Sequence, residues 1–362
     1  MPVTTPAKEL QIEMGSTQPQ AAPKTIFDYI PLTLVLTLAK PYLAGQTPEE
    51  AIELAHRLYA REHYAGTLDI LGEDMESAED CDRSAEQYKE LIDAIAANRI
   101  ACKKRREQLT ISMKPSMFST MAPKPGKESE KALEGAFDRI ARVTDYALKN
   151  EIGVTLEAED HRWTSFQLEA YFALINAGYT NLGTVLQTRL FRTEKDLERF
   201  DERMRVRLVI GIYNEPKAIA HTDKRVMKDL VVDYAGTLLS KGTYVELATH
   251  DTRCIDNFYQ YVACPRQYKT DMFEHQFLQG VPRTKIQRAL VSGQYFADMA
   301  KNGPLRPPAE LAYLEQAQAE GVPVRMYLPF GTARLSGAYC RRRLRENPNM
   351  ITYGIKNVLG LQ

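Results

Sequence analysis

The chain has 362 residues, 44% hydrophobic and 26% charged, enough apolar mass for one large domain or two smaller ones in an ordinary globular protein. Lys+Arg and Asp+Glu both number 47, so no net field favours a polyanionic partner such as nucleic acid. The five cysteines are odd in number and scattered without a C-x-x-C pair, which argues against a disulfide framework or a structural zinc and for a reducing, cytoplasmic setting.

Residues 1–24 carry Pro, Thr, Gln and Lys without a period and read as a loose tail. Residues 25–66 read as an N-terminal helical arm. Its apolar run Ile30–Ala39 is too short for a bilayer, which takes about 20 residues. The run fits packing on the body or peripheral contact with an inner-membrane surface. Thr47-Pro48-Glu49-Glu50 is a helix start, with an N-cap, a proline and two acids ahead of the stripe Ala51, Leu54, Ala55 and Leu58.

From residue 67 to 362 apolar strand candidates alternate with helix-prone stretches. The strands are Thr67–Leu71, Thr110–Lys114, Val154–Glu159, Gly183–Gln187, Arg207–Ile212, Tyr244–Thr249, Met272–Gln276 and Val324–Leu328. Helices are expected over 83–108, 128–149, 163–178, 193–203, 223–241, 283–301 and 308–320. Connections of this length imply crossovers and a parallel sheet, and eight strands make a (β/α)8 barrel the leading architecture. A doubly wound sheet is the alternative, but no G-x-G-x-x-G follows a strand.

In such a barrel the site lies at the carboxyl ends of the strands. The polar residues expected there are Glu73, Lys114, Glu157, Glu159, Gln187, Arg207, Tyr213, His250, Asp251, Glu274, Gln276 and Tyr327. Near the end of the chain, Tyr339, Arg342, Arg343 and Glu346 fall on one face of a predicted helix, while Gly337, Cys340 and Leu344 form an apolar seam. Two guanidiniums, a phenol and a carboxylate suit a grip on a small carboxylate. Arg341 and Arg345 read as solvated. No H-x-H or carboxylate–histidine cluster suggests a metal.

Thr67–Glu73, Arg207–Tyr213, Ala248–Asp251, Glu274–Leu278, Arg325–Gly331 and the closing Tyr339–Asn347 resemble, in order, the segments of proline dehydrogenases. The resemblance runs from about residue 67 to the C-terminus. It implies a distorted (β/α)8 barrel that holds FAD, with the last helix over the barrel mouth. The implied reaction is oxidation of L-proline to Δ1-pyrroline-5-carboxylate, with electrons passing to a quinone.

The same resemblance implies roles. Arg342 and Arg343 hold the substrate carboxylate with Lys114, and Glu73, Glu157 and Glu346 balance the charge. Arg207 lies at the reactive edge of the flavin, where a fixed cation stabilises the reduced ring. Glu157 stands where the family usually has Asp, which leaves its geometry open. Ala158, Gln187, Ile210, Gly211, Ile212, Thr249 and His250 line the cofactor. Ile210 replaces a frequent Lys or Arg at a backbone contact. Tyr213, Leu278, Tyr327 and Tyr339 wall the proline ring, and Tyr327 favours proline over 4-hydroxyproline.

Only about 15 residues follow the last helix, so a separate pyrroline-5-carboxylate dehydrogenase is expected as a functional partner. The alternatives are a flavin-dependent oxidase of another cyclic or N-methyl amino acid and a non-catalytic barrel that binds flavin or an amino acid.

Overall fold

The computed structural model describes residues 35–37, 40–72, 75–102 and 104–346, with the side chains of residues 338 and 341–346 outside that description. Eight parallel strands close into a barrel in chain order: β1 (Ala65–Ile70), β2 (Thr110–Met113), β3 (Gly153–Leu156), β4 (Leu182–Gln187), β5 (Arg205–Val209), β6 (Tyr244–Ala248), β7 (Phe273–Leu278) and β8 (Val324–Phe330). Closure is made by β1, where Thr67 pairs with Thr110 on one side and with Tyr327 on the other. All eight expected strands are present, and the (β/α)8 barrel is the fold.

Strand alternation divides the residues between two environments. Leu68, Ile111, Val154, Val206, Leu208, Val245 and Leu328 pack outward against the helices and are almost fully buried. The opposite set points into the barrel and is polar: Thr67 and Asp69, Ser112, Thr155, Arg205 and Arg207, Glu246, Glu274 and Gln276, Arg325. Branched aliphatic side chains usually fill a barrel of this size. Here paired ions fill it.

The helix Pro48–Glu62 begins as expected: Thr47 Oγ1 accepts from Glu50 N–H, Pro48 takes the first position, and Ala51, Ile52 and Ala55 are buried. Elsewhere local capping moves the boundaries. The helix expected over 83–108 is Ala78–Ala97, because Ser77 caps it by accepting from Asp80 N–H at 3.1 Å and Asn98 folds back onto the Ala94 carbonyl. The stretch 283–301 is two helices, Thr284–Ser292 and Gln294–Asn302, broken at Gly293 with φ +78°. The stretch 193–203 keeps only the turn Thr193–Asp196 and a 3-10 turn at Leu197–Arg199.

The last helix, Ala333–Glu346, does not lie outside the barrel with the other crossovers. Tyr339 and Cys340 pack with Leu71 and Leu278, which follow or end β1 and β7, so the helix sits over the mouth. Among the described residues, no helix is long and apolar enough to cross a membrane.

Candidate active site

The floor of the barrel is an ion cluster. Arg325, near the start of β8, donates to Glu274 at 2.7 Å and to the Gly66 and Gln108 carbonyls. Glu274 also accepts from Tyr244 Oη at 3.1 Å and Gln276 Nε2 at 2.6 Å. Glu274 and Gln276 were expected at the mouth with the other strand-end groups, and this is corrected: β7 runs from Phe273 to Leu278, so Glu274 lies near its foot.

One layer up, Arg207 on β5 is flanked by two acids. It is ion-paired to Glu157, which follows β3, and its Nε lies 3.5 Å from Glu246 Oε2. Ser112 Oγ is 3.5 Å from another guanidinium nitrogen, and the Tyr327 ring lies 5.2 Å from Cζ. Burial opposes the charge, but Glu157 and Glu246 more than compensate, so the Arg207 pKa is raised and the cation is permanent. Glu246 also pairs with Arg205. Burial disfavours its charge, whereas Arg205 and Arg207 overcome that and hold its pKa low.

At the mouth, Lys114 Nζ donates to Asp69 Oδ1 at 2.6 Å and to the Ile70 carbonyl at 3.2 Å. Burial works against the ammonium, and Asp69 reverses that, leaving the Lys114 pKa raised. Tyr339 lies within electrostatic reach of both Lys114 and Tyr327. Lys114, Glu157, Arg207, Tyr327 and Tyr339 therefore come together in space, with Leu278 packed on the Tyr339 cluster. Glu159 turns away from this group. Its carboxylate accepts from the Ser116 N–H and hydroxyl at 2.8 and 2.6 Å.

A second group lies along the ends of β4 and β5. Gln187 Nε2 donates to the Glu159 carbonyl at 2.7 Å, which leaves its buried Oε1 without a hydrogen-bond partner among the described residues. Gly211 has φ +94°, and a Cβ there would lie 2.3 Å from that oxygen. Only glycine permits this approach. Gly211 sits between Ile210, which is partly buried, and the exposed Ile212. Tyr213 follows, its carbonyl held by Arg189. Ala158 is partly buried between Glu157 and Glu159.

A third group follows β6. Thr249 Oγ1 accepts from Asp251 N–H at 3.1 Å, and Asp251 caps the next helix by accepting from Cys254 N–H at 3.0 Å. His250 Nε2 accepts from Leu278 N–H at 3.4 Å, and the Arg283 guanidinium donates to the His250 carbonyl at 2.7 Å. Burial, helped by Arg283, lowers the His250 pKa to about 4, so the ring is neutral. Its buried Nδ1 has no hydrogen-bond partner among the described residues.

The expected residues Glu73, Arg342, Arg343 and Glu346 lie outside the described side chains, although the backbone at 342, 343 and 346 is helical. Sequence reasoning missed Asp69, Arg205 and Glu246 as partners of the expected cations. Their signal was strand alternation, which puts Asp69 on the face of Thr67, and Arg205 on that of Arg207. Among the described residues, no group of His, Cys, Asp and Glu could hold a metal ion.

The sequence model of the proline dehydrogenase family matches residues 51–351. The chain is 31% identical over 324 residues to a proline dehydrogenase of Deinococcus radiodurans, covering 89% of this chain and 90% of that one. It is 27% identical over 322 residues to proline dehydrogenase 1 of Bacillus subtilis, with the same shares covered. Among solved structures, proline utilization A from Bdellovibrio bacteriovorus, inactivated by N-propargylglycine, superposes with a TM-score of 0.68 at 20% identity. That match covers 87% of this chain and 33% of the other. A mutant of Bradyrhizobium japonicum proline utilization A gives a TM-score of 0.65 at 20% identity, covering 86% and 31%. The chain thus spans about a third of the length of these structures, and they bear on the fold alone.

A closed parallel barrel with charged groups gathered at its mouth defines an enzyme of the (β/α)8 class. The chain belongs to the proline dehydrogenase family.

Proposed function

We propose that this chain oxidises L-proline to Δ1-pyrroline-5-carboxylate with FAD bound at the barrel mouth, passing the electrons to a quinone. The observation that carries the reading is the stack of Lys114–Asp69 and Arg207–Glu157 beneath Tyr327 and Tyr339, at the end of the barrel where catalysis is expected.

The residues fit a flavin. Gln187 Oε1 is a buried acceptor beside the partly exposed Gly211, and His250 Nδ1 is a buried donor near the exit of β6, both without a hydrogen-bond partner among the described residues. When bound, FAD supplies the two-electron oxidant for the carbon–nitrogen bond. Glu157 and Glu246 pin the Arg207 cation so that it need not reorient as charge develops nearby. Ala158, Ile210, Ile212 and Thr249 complete the cofactor's surroundings in this reading.

Charge balance supports the reading of the substrate grip. Among the described strand and strand-end residues, Asp69, Glu157, Glu246 and Glu274 offset Lys114, Arg205, Arg207 and Arg325. Each of these four cations already faces an acid, so a substrate carboxylate calls for further positive charge beside Lys114. Arg342 and Arg343, brought over the mouth by the last helix, supply it, with Glu73 and Glu346 limiting the excess. Tyr213, Leu278, Tyr327 and Tyr339 exclude water from the ring. The product passes to a dehydrogenase that oxidises it further.

Anaerobic addition of L-proline to the purified, FAD-loaded protein tests the reading. Bleaching of the yellow absorbance is expected, with slower bleaching by pipecolate, N-methyl amino acids and 4-hydroxyproline. Absence of bleaching by proline overturns it.

A further inference from the structure

We infer that residues 35–37 and 40–45, which precede the region matched by the family model, brace the last helix over the barrel mouth, with Tyr42 as a positioning residue for the substrate site. The part of this inference that concerns substrate rests on the reading above; the part that concerns the helix does not.

The observation is an apolar cluster separate from the main core. Val35, Tyr42, Leu71, Tyr339 and Cys340 are all at most 5% exposed and pack together, with Leu43, Leu278 and Val281 against them. Two of these residues come from the arm, two from the last helix, and Leu71 from the exit of β1. The arm is fixed to the barrel by its backbone: Ala44 N–H donates to the Pro329 carbonyl at 2.7 Å, and Gly331 N–H donates to the Gly45 carbonyl at 3.2 Å. It also lies against the turn after β7. Gly280 has φ +82°, and a Cβ there would be 2.4 Å from the Pro41 oxygen and 2.9 Å from the Tyr42 nitrogen. The turn accommodates the arm only because that position is glycine.

The last helix needs such a brace. It has 14 residues, and a helix of about 12–15 residues is marginal in water without tertiary packing. Tyr339 and Cys340 belong to the cluster that the arm enters, and Tyr339 also lies within electrostatic reach of Lys114 and Tyr327. One tyrosine thus joins the arm to the charged site, and Arg342 and Arg343 follow on the next turn of the same helix face. If the arm lets go, the helix carrying the grip is populated over the mouth for less of the time. The apparent affinity for substrate then falls by that fraction, while the saturated rate is retained because substrate draws the helix back.

Hydrogen exchange on the full-length, FAD-loaded protein tests this. In Tyr42→Ala, amide exchange across 333–346 is expected to rise about tenfold, with the barrel strands unchanged, and KM for proline to rise about tenfold with kcat within about twofold. Tyr42→Phe, which keeps the ring, should fall between the parent and Tyr42→Ala in both. Unchanged exchange across 333–346 in Tyr42→Ala overturns the inference, whatever the activity. If the parent protein does not turn over proline but exchange rises in Tyr42→Ala, the brace stands and the substrate reading falls. Should Tyr42→Ala fail to fold, Val35→Ala trims the same cluster and is judged by the same exchange measurement.

Discussion

Lys114 and Asp69 form a nearly dry ion pair, Nζ to Oδ1 at 2.6 Å, with side chains 12% and 1% exposed. Removing one partner of such a pair leaves the other charge desolvated and uncompensated. Asp69→Asn is expected to cost about 3–5 kcal/mol of stability, and Asp69→Asn with Lys114→Met markedly less than the sum of the two single changes. Urea unfolding of the four proteins checks this; strict additivity would show that the two groups do not interact.

In the proposed function, Arg342 and Arg343 are the main grip on the substrate carboxylate. Each charge-assisted contact is worth about 1.5–3 kcal/mol, so Arg342→Met and Arg343→Met should each raise KM for proline about 10–100-fold. Flavin content should not change. Steady-state kinetics with the flavin absorbance ratio distinguish this from general damage, and normal proline binding in both variants would remove the grip.

Arg207 is held by acids on two sides and its charge does not vary with pH in the working range. In the proposed reaction its value lies in the charge that develops during reduction. Arg207→Met is expected to slow flavin reduction about 100-fold while shifting the proline dissociation constant far less. Stopped-flow reduction over a range of proline concentrations separates the two effects.

Gly211→Ala places a methyl group where Gln187 Oε1 already sits and forces an L residue to φ +94°. Strain of about 1–3 kcal/mol at this point should lower flavin affinity about 5–100-fold. Titration of the apoprotein with FAD measures it; unchanged affinity would place the cofactor elsewhere.

Acid sensitivity has an internal source. Burial pushes His275 down to about 3, and burial with Arg283 pushes His250 down to about 4, against an ordinary value of 6.5. Both are bases depressed in the folded state, so the unfolded chain binds more protons once the pH falls below 6.5. Stability is therefore expected to fall between pH 6.5 and about 4, and the His275 contribution to continue falling to about 3. His275 is fully buried and bonded to Tyr259 Oη at 2.7 Å, away from the proposed site. His275→Phe should flatten the acid limb by up to about 1.4 kcal/mol per pH unit, read from urea midpoints at several pH values.

The eight strands were legible because their outward faces are short apolar runs. Helix ends were less so, since Ser77 and Gly293 set them through individual caps and turns. At the site, Lys114, Glu157, Arg207 and Tyr327 were found as polar residues in an apolar setting, and the structure brings them together. Their partners Asp69 and Glu246 were passed over because they sit within strands, not at their ends. Reading each strand at period two would have put Asp69 with Thr67 and exposed the charged interior. Glu274 was assigned to the wrong end because polarity alone does not report depth along a strand. The cluster that joins Val35 and Tyr42 to Tyr339 spans most of the chain, and no local pattern encodes it.

An interior built from interlocked ions also limits how the sequence can drift. An aliphatic barrel core tolerates single exchanges of similar volume. In this one, replacing Arg325 removes the cation that balances Glu274, and replacing Glu246 leaves Arg205 without its acid and Arg207 with Glu157 alone. A replacement that keeps the interior stable therefore has to arrive as a matched acid–base set on neighbouring strands, because a lone exchange leaves a buried charge unbalanced.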